Sequence, residues 1–317
     1  MPQPVQPAIN AATRLCAVFG LPVVHSASPA MHNAAFTTLG LNWRYLAFEV
    51  DPKNLQAAID GAKAMQFAGL NLTVPHKLLA LEMVDALDDS ARMFGAVNTI
   101  RLEGRNAKGV WLPLTKFEPA SANGPFKIRA HGFNTDAVAI ARTLREELKL
   151  ELRGAKVVLL GAGGTGRTAA LKFAAEKVAE LSIVNRTRNK AEKLAGEIKK
   201  RFPSLNIRVG YPQGRIDLLV NATSLGLKAN DPSPLDEKQF SLKQTCAVYD
   251  VIYRPAETAL LKTAKAAGCK TANGLGMLLH QGAAALEIWT GKPAPLDVMR
   301  KALEAEVYKS TVRSPQS

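Results

Sequence analysis

Lys-Val-Val-Leu-Leu at 156–160 runs without a spacer into Gly-Ala-Gly-Gly-Thr-Gly at 161–166, and a helical stretch follows. An apolar strand that turns at once into a helix through glycines spaced G-x-G-x-x-G belongs to a layered α/β sheet, at a strand's carboxyl end, where such sheets bind ligands. Each glycine has its own reason. Gly161 makes the tight turn, Gly163 lets backbone come close to a pyrophosphate, and Gly166 lets the helix pack on the strand. The free N–H groups that open the helix then face an anion. Glycines in an ordinary turn would satisfy the spacing alone; the strand before and the helix behind favour a dinucleotide site formed by Gly161, Ala162, Gly163, Gly164, Thr165 and Gly166.

The end of the next strand, Leu181–Asn185, decides which dinucleotide. An NAD site carries Asp or Glu there to bond the ribose hydroxyls, and an acid would repel a 2′-phosphate. Here the chain reads Asn185-Arg186-Thr187-Arg188-Asn189-Lys190. Arg186 offers a planar fork suited to phosphate, Thr187 a hydroxyl, and Lys190 or Arg188 a second positive charge. A solvated basic turn is the commonplace alternative, and the missing acid counts against it. NADP(H) is the expected cofactor.

Strand-like and helix-like runs alternate from the start: Arg14–Gly20, Trp43–Val50 and Gly69–Val74 as strands, Ser28–Gly40 and Asn54–Met65 as helices, with Ser28 at an N-cap. Gly95–Gly104 and Lys108–Leu114 read as strands joined by a polar turn, and Thr115–Gly132, rich in turn formers, as a surface excursion. From Thr135 the pattern restarts as near-continuous apolar strands separated by helices, including Asp217–Thr223 and Cys246–Tyr253, which predicts a parallel sheet covered on both faces. At 317 residues the chain is too long for one core, so two domains are expected.

Other classes are disfavoured. No apolar run approaches the ~20 residues of a membrane span, and the start lacks a secretory apolar block. A cytoplasmic protein with no membrane partner is expected. Three cysteines are too few and too scattered for a disulfide framework or metal site, and the five histidines have no ligand spacing. The formal charge of +14 invites nucleic acid, but the basic residues are spread among acids and aromatics make up only 6%, poor for base stacking. No nucleic-acid partner is expected. The same field would draw in a small anionic substrate and a phosphate-bearing cofactor.

Several polar patches remain: His25–Asn33 (HSASPAMHN), Asn71–Lys77 (NLTVPHK), Ala96–Thr99 (AVNT) and Gly132–Asp136 (GFNTD). Taken in order with GAGGTG, NRT, Asn221–Leu227 (NATSLGL), Tyr249–Tyr253 (YDVIY) and Asn273–Gln281 (NGLGMLLHQ), they make the sequence resemble the shikimate dehydrogenases across Val18–Trp289. The resemblance implies NADPH-dependent reduction of 3-dehydroshikimate to shikimate, with Lys77 and Asp136 as the catalytic pair. A lysine at the ketone oxygen can stabilise the developing oxyanion and protonate it, while Asp136 bonds a neighbouring hydroxyl and orients the lysine.

By the same resemblance Ser26 and Ser28 bind the substrate carboxylate; a turn serine and an N-cap are their ordinary readings. Thr73, Asn98 and Gln281 bond ring hydroxyls or the carboxylate, Tyr253 also touches substrate, and Asn71 supports the pocket. Thr223, Ser224 and Gly274 join Asn185 at the cofactor. The implied layout is α/β and two-domain: residues 1–135, completed by C-terminal helices 274–317, as an α/β substrate domain, and 136–273 as an NADP-binding Rossmann domain with a doubly wound parallel sheet. A monomer or homodimer is expected. The span from Asn98 to Asn134 is longer than the family pattern, as is the C-terminus. A quinate/shikimate dehydrogenase using NAD and a non-catalytic dinucleotide-binding regulator are the alternatives.

Overall fold

The computed structural model describes residues 6–117, 127–228 and 230–308. The chain divides into two compact units, Met1–Thr135 with Gln281–Ser317, and Asp136–His280.

The first unit is built from β1 (Arg14–Gly20), α1 (Ser28–Thr38), β2 (Trp43–Glu49), α2 (Leu55–Ala64), β3 (Gly69–Leu72), α3 (His76–Leu79), β4 (Ala86–Leu87), α4 (Asp89–Phe94), β5 (Thr99–Arg105), β6 (Trp111–Pro113) and β7 (Lys127–Phe133). Its sheet runs β2-β1-β3-β5-β7-β4, with β6 paired to β5. β1 is parallel to both β2 and β3, whereas β5 is antiparallel to β3 and β7. Phe19, Leu70, Leu72, Ile100, Leu102 and Ala130 pack with Leu55 and Ile59 of α2 in one core. Gly69 is dictated by that architecture, because a Cβ there would lie 2.1 Å from the Trp289 indole nitrogen, which itself donates to the Ile100 carbonyl at 3.0 Å.

Two elements differ from the sequence expectation. The N-cap of α1 is Ala27, without a side-chain cap bond, and Ser28 opens the helix; Pro29 at the first turn accounts for the start, and Gly40, at φ 64°, follows its end. The supposed excursion 115–132 contains β7, which pairs with β5 from Thr99↔Phe133 to Arg105↔Lys127. Its alternation is masked by polar residues that serve the sheet's other face: Glu103, only 2% exposed, accepts from Arg129 Nε at 2.7 Å, Arg101 Nε at 2.9 Å and faces His131 Nδ1 at 3.0 Å. Burial alone would raise its pKa, but the bonds from His131, Arg101 and Arg129 outweigh it and hold the carboxyl down at about 2. The rest of the supposed insert, 118–126, and the tail 309–317 lie outside the described residues.

The second unit contains α5 (Asp136–Leu148), β8 (Lys156–Leu160), α6 (Gly164–Ala175), β9 (Glu180–Val184), α7 (Arg188–Arg201), β10 (Asn206–Val209), β11 (Ile216–Asn221), β12 (Thr245–Asp250), α8 (Ala259–Ala266) and β13 (Lys270–Ala272). Its sheet is wholly parallel, in the order β10-β9-β8-β11-β12-β13. Strand order reverses between β8 and β11, the doubly wound arrangement whose crevice takes dinucleotides. β12 stops at Asp250, short of the expected Tyr253. α9 (Leu275–Thr290) starts in this unit and ends in the first, so the chain returns inside that helix rather than ahead of it. α10 (Leu296–Tyr308) then packs on α1. No helix of the described residues is long and apolar enough to cross a membrane.

Candidate active site

In the first unit, the carboxyl ends of β1 and β3 are stitched together by Thr73 N–H to the Phe19 carbonyl, 2.9 Å, and Leu21 N–H to the Val74 carbonyl, 3.0 Å. Gly20 has to be glycine for this approach, since a Cβ would meet the Thr73 methyl at 2.4 Å. The chain then turns into α3, four residues long, with Lys77 its second residue and half-buried. Buried His76 anchors the turn, and Lys77 is held through its backbone, its carbonyl accepting from Val97 N–H at 2.8 Å. Burial keeps the His76 imidazole below its ordinary pKa, against the opposing pull of the Val50 backbone and Asp51.

Ser26 precedes α1 and its hydroxyl accepts from Ser28 N–H at 3.3 Å; Ser26 is half-buried and Ser28 buried. Because β5 runs antiparallel to β3, the residue before it lies beside the end of β3: the Asn98 carbonyl accepts from Leu72 N–H at 2.9 Å. Asn98 is 1% exposed and its amide grips Thr135, accepting from Thr135 N–H at 2.8 Å and donating to its hydroxyl at 2.9 Å. That grip fixes the residue from which α5 departs with Asp136, itself 2% exposed and in the first turn, where a carboxylate complements the helix dipole. Gln281, half-buried, begins the returning segment, and Gly282 beside it lets α9 approach Met31 and His32 of α1.

In the second unit the three glycines separate by cause. Gly161, at φ +106°, would place a Cβ 2.9 Å from the Ala222 carbonyl oxygen, and Gly166 would place one 2.2 Å from the Gly161 oxygen. Gly163 is exposed, has φ −79° and nothing within 4 Å of its Cβ position. The protein does not need glycine there; a pyrophosphate approaching the backbone would. α6 opens at Gly163–Thr165 without a side-chain cap, leaving amides for an anion. Asn185 braces the two loops, accepting from Ala162 N–H at 3.0 Å and donating to the Thr187 carbonyl at 2.9 Å. The Ala162 N–H is thereby already used.

Arg186, Thr187 and Lys190 are exposed at the start of α7, and Thr187 caps the helix with no side-chain bond. Arg188 is occupied by Glu192 at 2.8 Å, whereas Arg186 and Lys190 have no ion-pair partner among the described residues. Lys190 is therefore the better second cation. These features fit a 2′-phosphate.

At the ends of β11 and β12, Asn221 accepts from Thr223 N–H and hydroxyl, at 3.0 and 2.7 Å, and donates to the Leu225 carbonyl and to Asp250, at 3.1 and 3.0 Å. Asp250, fully buried, also accepts from Thr258 at 2.8 Å and Ile252 N–H at 3.1 Å. Burial raises its pKa to about 6 against those hydrogen bonds. Ser224 is exposed beside Thr223, and Tyr253 is half-buried beyond β12. Gly274 answers to packing, since a Cβ would lie 1.9 Å from the Val251 oxygen.

Three family models match: the shikimate dehydrogenase substrate binding domain over residues 18–100, shikimate / quinate 5-dehydrogenase over 142–224, and the shikimate 5'-dehydrogenase C-terminal domain over 274–304. A shikimate dehydrogenase (NADP(+)) of Methanopyrus kandleri is 40% identical over 306 residues, 94% of this chain and 98% of that protein. The chain belongs to the shikimate dehydrogenase family. Among solved structures, a shikimate dehydrogenase in complex with NADP+ superposes with a TM-score of 0.80 at 36% identity, covering 96% of this chain and 99% of that one. The Thermus thermophilus shikimate 5-dehydrogenase in complex with NADP(H) and shikimate gives 0.75 at 34%, covering 92% and 99%.

Within this shikimate dehydrogenase frame, Thr99, Thr135, Asn221 and Asp250 carry no expected role, and their side chains lock the loops carrying the named residues. A signal existed for two of them. Asn221 ends the apolar run Ile216–Asn221 and Asp250 ends Thr245–Asp250, and a polar side chain buried at a strand's carboxyl end has to be hydrogen-bonded.

Proposed function

We propose that this chain reduces 3-dehydroshikimate to shikimate reversibly with NADPH. The full-length likeness to an enzyme named shikimate dehydrogenase (NADP(+)), at 40% identity, carries the reading. Ser26 and Ser28 donate hydroxyls to the substrate carboxylate beside the start of α1, where helix amides add to the attraction. Thr73, Asn98, Gln281 and Tyr253 bond the ring's polar groups. The Gly163–Thr165 amides take the pyrophosphate, Arg186, Thr187 and Lys190 take the 2′-phosphate, and the loop of Thr223 and Ser224, with Gly274, completes the cofactor side. When bound, NADPH supplies the hydride that reduces the ketone carbon. Lys77 stabilises the negative charge that develops on the ketone oxygen and then gives it a proton, a contribution made only in the transition state. Asp136 accepts from the adjacent ring hydroxyl and orients the ring. The reaction takes place in the cytoplasm, in a monomer or homodimer.

The test follows nicotinamide absorbance with 3-dehydroshikimate or 3-dehydroquinate, each with NADPH or NADH. Turnover is expected to be fastest for 3-dehydroshikimate with NADPH. Preference for 3-dehydroquinate and NADH would assign the chain to the quinate branch, and no turnover of either ketone would sink the reading.

A further inference from the structure

Tyr45 lies on β2, outside the polar motifs, yet several independent contacts converge on it. Its hydroxyl donates to Asn71 Oδ1 at 2.7 Å in a fully buried bond. Asn71 in turn donates to the Asn98 carbonyl at 3.1 Å and to the Thr99 hydroxyl at 3.0 Å. The backbone of Tyr45 is bracketed by one side chain of α1: Asn33 Oδ1 accepts from Tyr45 N–H at 2.9 Å, and Asn33 Nδ2 donates to the Tyr45 carbonyl at 2.9 Å. The same amide donates to the Pro29 carbonyl at 2.9 Å, tying the first turn of α1 into the clamp. The ring is covered by His32, stacked at 4.3 Å between centroids and 11° between planes.

His32 is fully buried and its ring nitrogens meet no hydrogen-bond partner among the described residues. Burial pushes its pKa down to about 3, so it is neutral throughout the working range of an enzyme. It serves Tyr45 as an uncharged plate. The paired His32-Asn33 of the first polar motif thus acts on Tyr45, and Tyr45 acts on Asn71 of the second.

We propose that Tyr45 is a positioning residue for substrate: it sets the spacing between α1, which carries Ser28, and the end of β3, which carries Thr73, through its bonds to Asn33 and Asn71. The proposal rests on the functional reading above and adds a residue to it. A residue held to α1 by its backbone and to β3 by its hydroxyl governs how well the whole substrate is gripped, in ground state and transition state alike. Loss of its hydroxyl therefore raises KM for the ketone and leaves the chemical step and the cofactor untouched.

The wild-type chain is assayed first, and failure to turn over 3-dehydroshikimate overturns the functional reading and this proposal with it. Tyr45→Phe, verified as folded by circular dichroism, should raise KM for 3-dehydroshikimate about tenfold, with kcat and KM for NADPH within about threefold of wild type. A folded Tyr45→Phe protein with unchanged KM for the ketone overturns the proposal while leaving the functional reading intact. So does an equal rise in both KM values, which general loosening of the protein would give. Should Tyr45→Phe not fold, Asn33→Ser opens the same clamp from the helix side and is expected to show the same split; unchanged KM for the ketone in that variant overturns the proposal.

Discussion

At the residue scale, functional demand and packing demand separate at the glycines. Gly163→Ala meets no steric obstacle, and its reduced unfolded-state entropy offsets the poorer N-cap that alanine makes, so the folded protein should stay within about 1 kcal/mol of wild type. Its KM for NADPH should nevertheless rise about tenfold or more, because the added methyl occupies the approach of the pyrophosphate. Gly166→Ala should instead lose roughly 1–3 kcal/mol, read as a lower Tm, since the clash is with backbone 2.2 Å away. Lys77→Ala should reduce kcat by about a hundred- to ten-thousandfold with KM for 3-dehydroshikimate nearly unchanged, the pattern of a group whose main interaction forms in the transition state. A large rise in KM with kcat preserved would make Lys77 a binding residue only. Arg186→Ala should raise KM for NADPH by roughly ten- to a hundredfold and leave NADH little affected, given the strength of a charge-assisted bond. Equal effects on the two cofactors would remove the phosphate clamp from the account.

At the element scale, the parallel strands β11 and β12 end in a shared polar knot, and the knot titrates. Asp250 has an ordinary value of 3.8 and a folded value of about 6. A carboxyl whose folded pKa is raised contributes stability that is fully present below the ordinary value and is lost as pH rises through the folded one. Wild type should therefore lose on the order of 3 kcal/mol from this group between about pH 4 and pH 7. Asp250→Asn keeps the shape and cannot ionise, so its Tm relative to wild type should climb across that interval. A gap that stays constant from acid to neutral pH would show that Asp250 does not titrate there. The same element logic explains why β7 escaped sequence reading. In Lys127–Phe133 the polar residues form the face that neutralises buried Glu103, so the strand's alternation looks like the composition of a loop.

At the scale of the whole molecule, the formal charge of +14 should act through the field rather than through any one contact. Since ketone and cofactor are both anionic, kcat/KM for each should fall severalfold between about 20 mM and about 500 mM salt, with kcat almost constant. Salt-independent kcat/KM would show that encounter is not steered. The dinucleotide fold and the order of polar motifs were legible in the sequence because they are local. A glycine turn and the end of a strand are written in consecutive residues and obey backbone sterics. What tertiary structure alone decided are the bonds between elements distant in the chain: Asn98 on Thr135, Tyr45 on Asn71, Asn221 on Asp250, and the return of the chain inside α9. A buried polar side chain has to find a partner, but nothing in its own neighbourhood of sequence says which one. Only the packing of strands and helices brings the partner within about 3 Å.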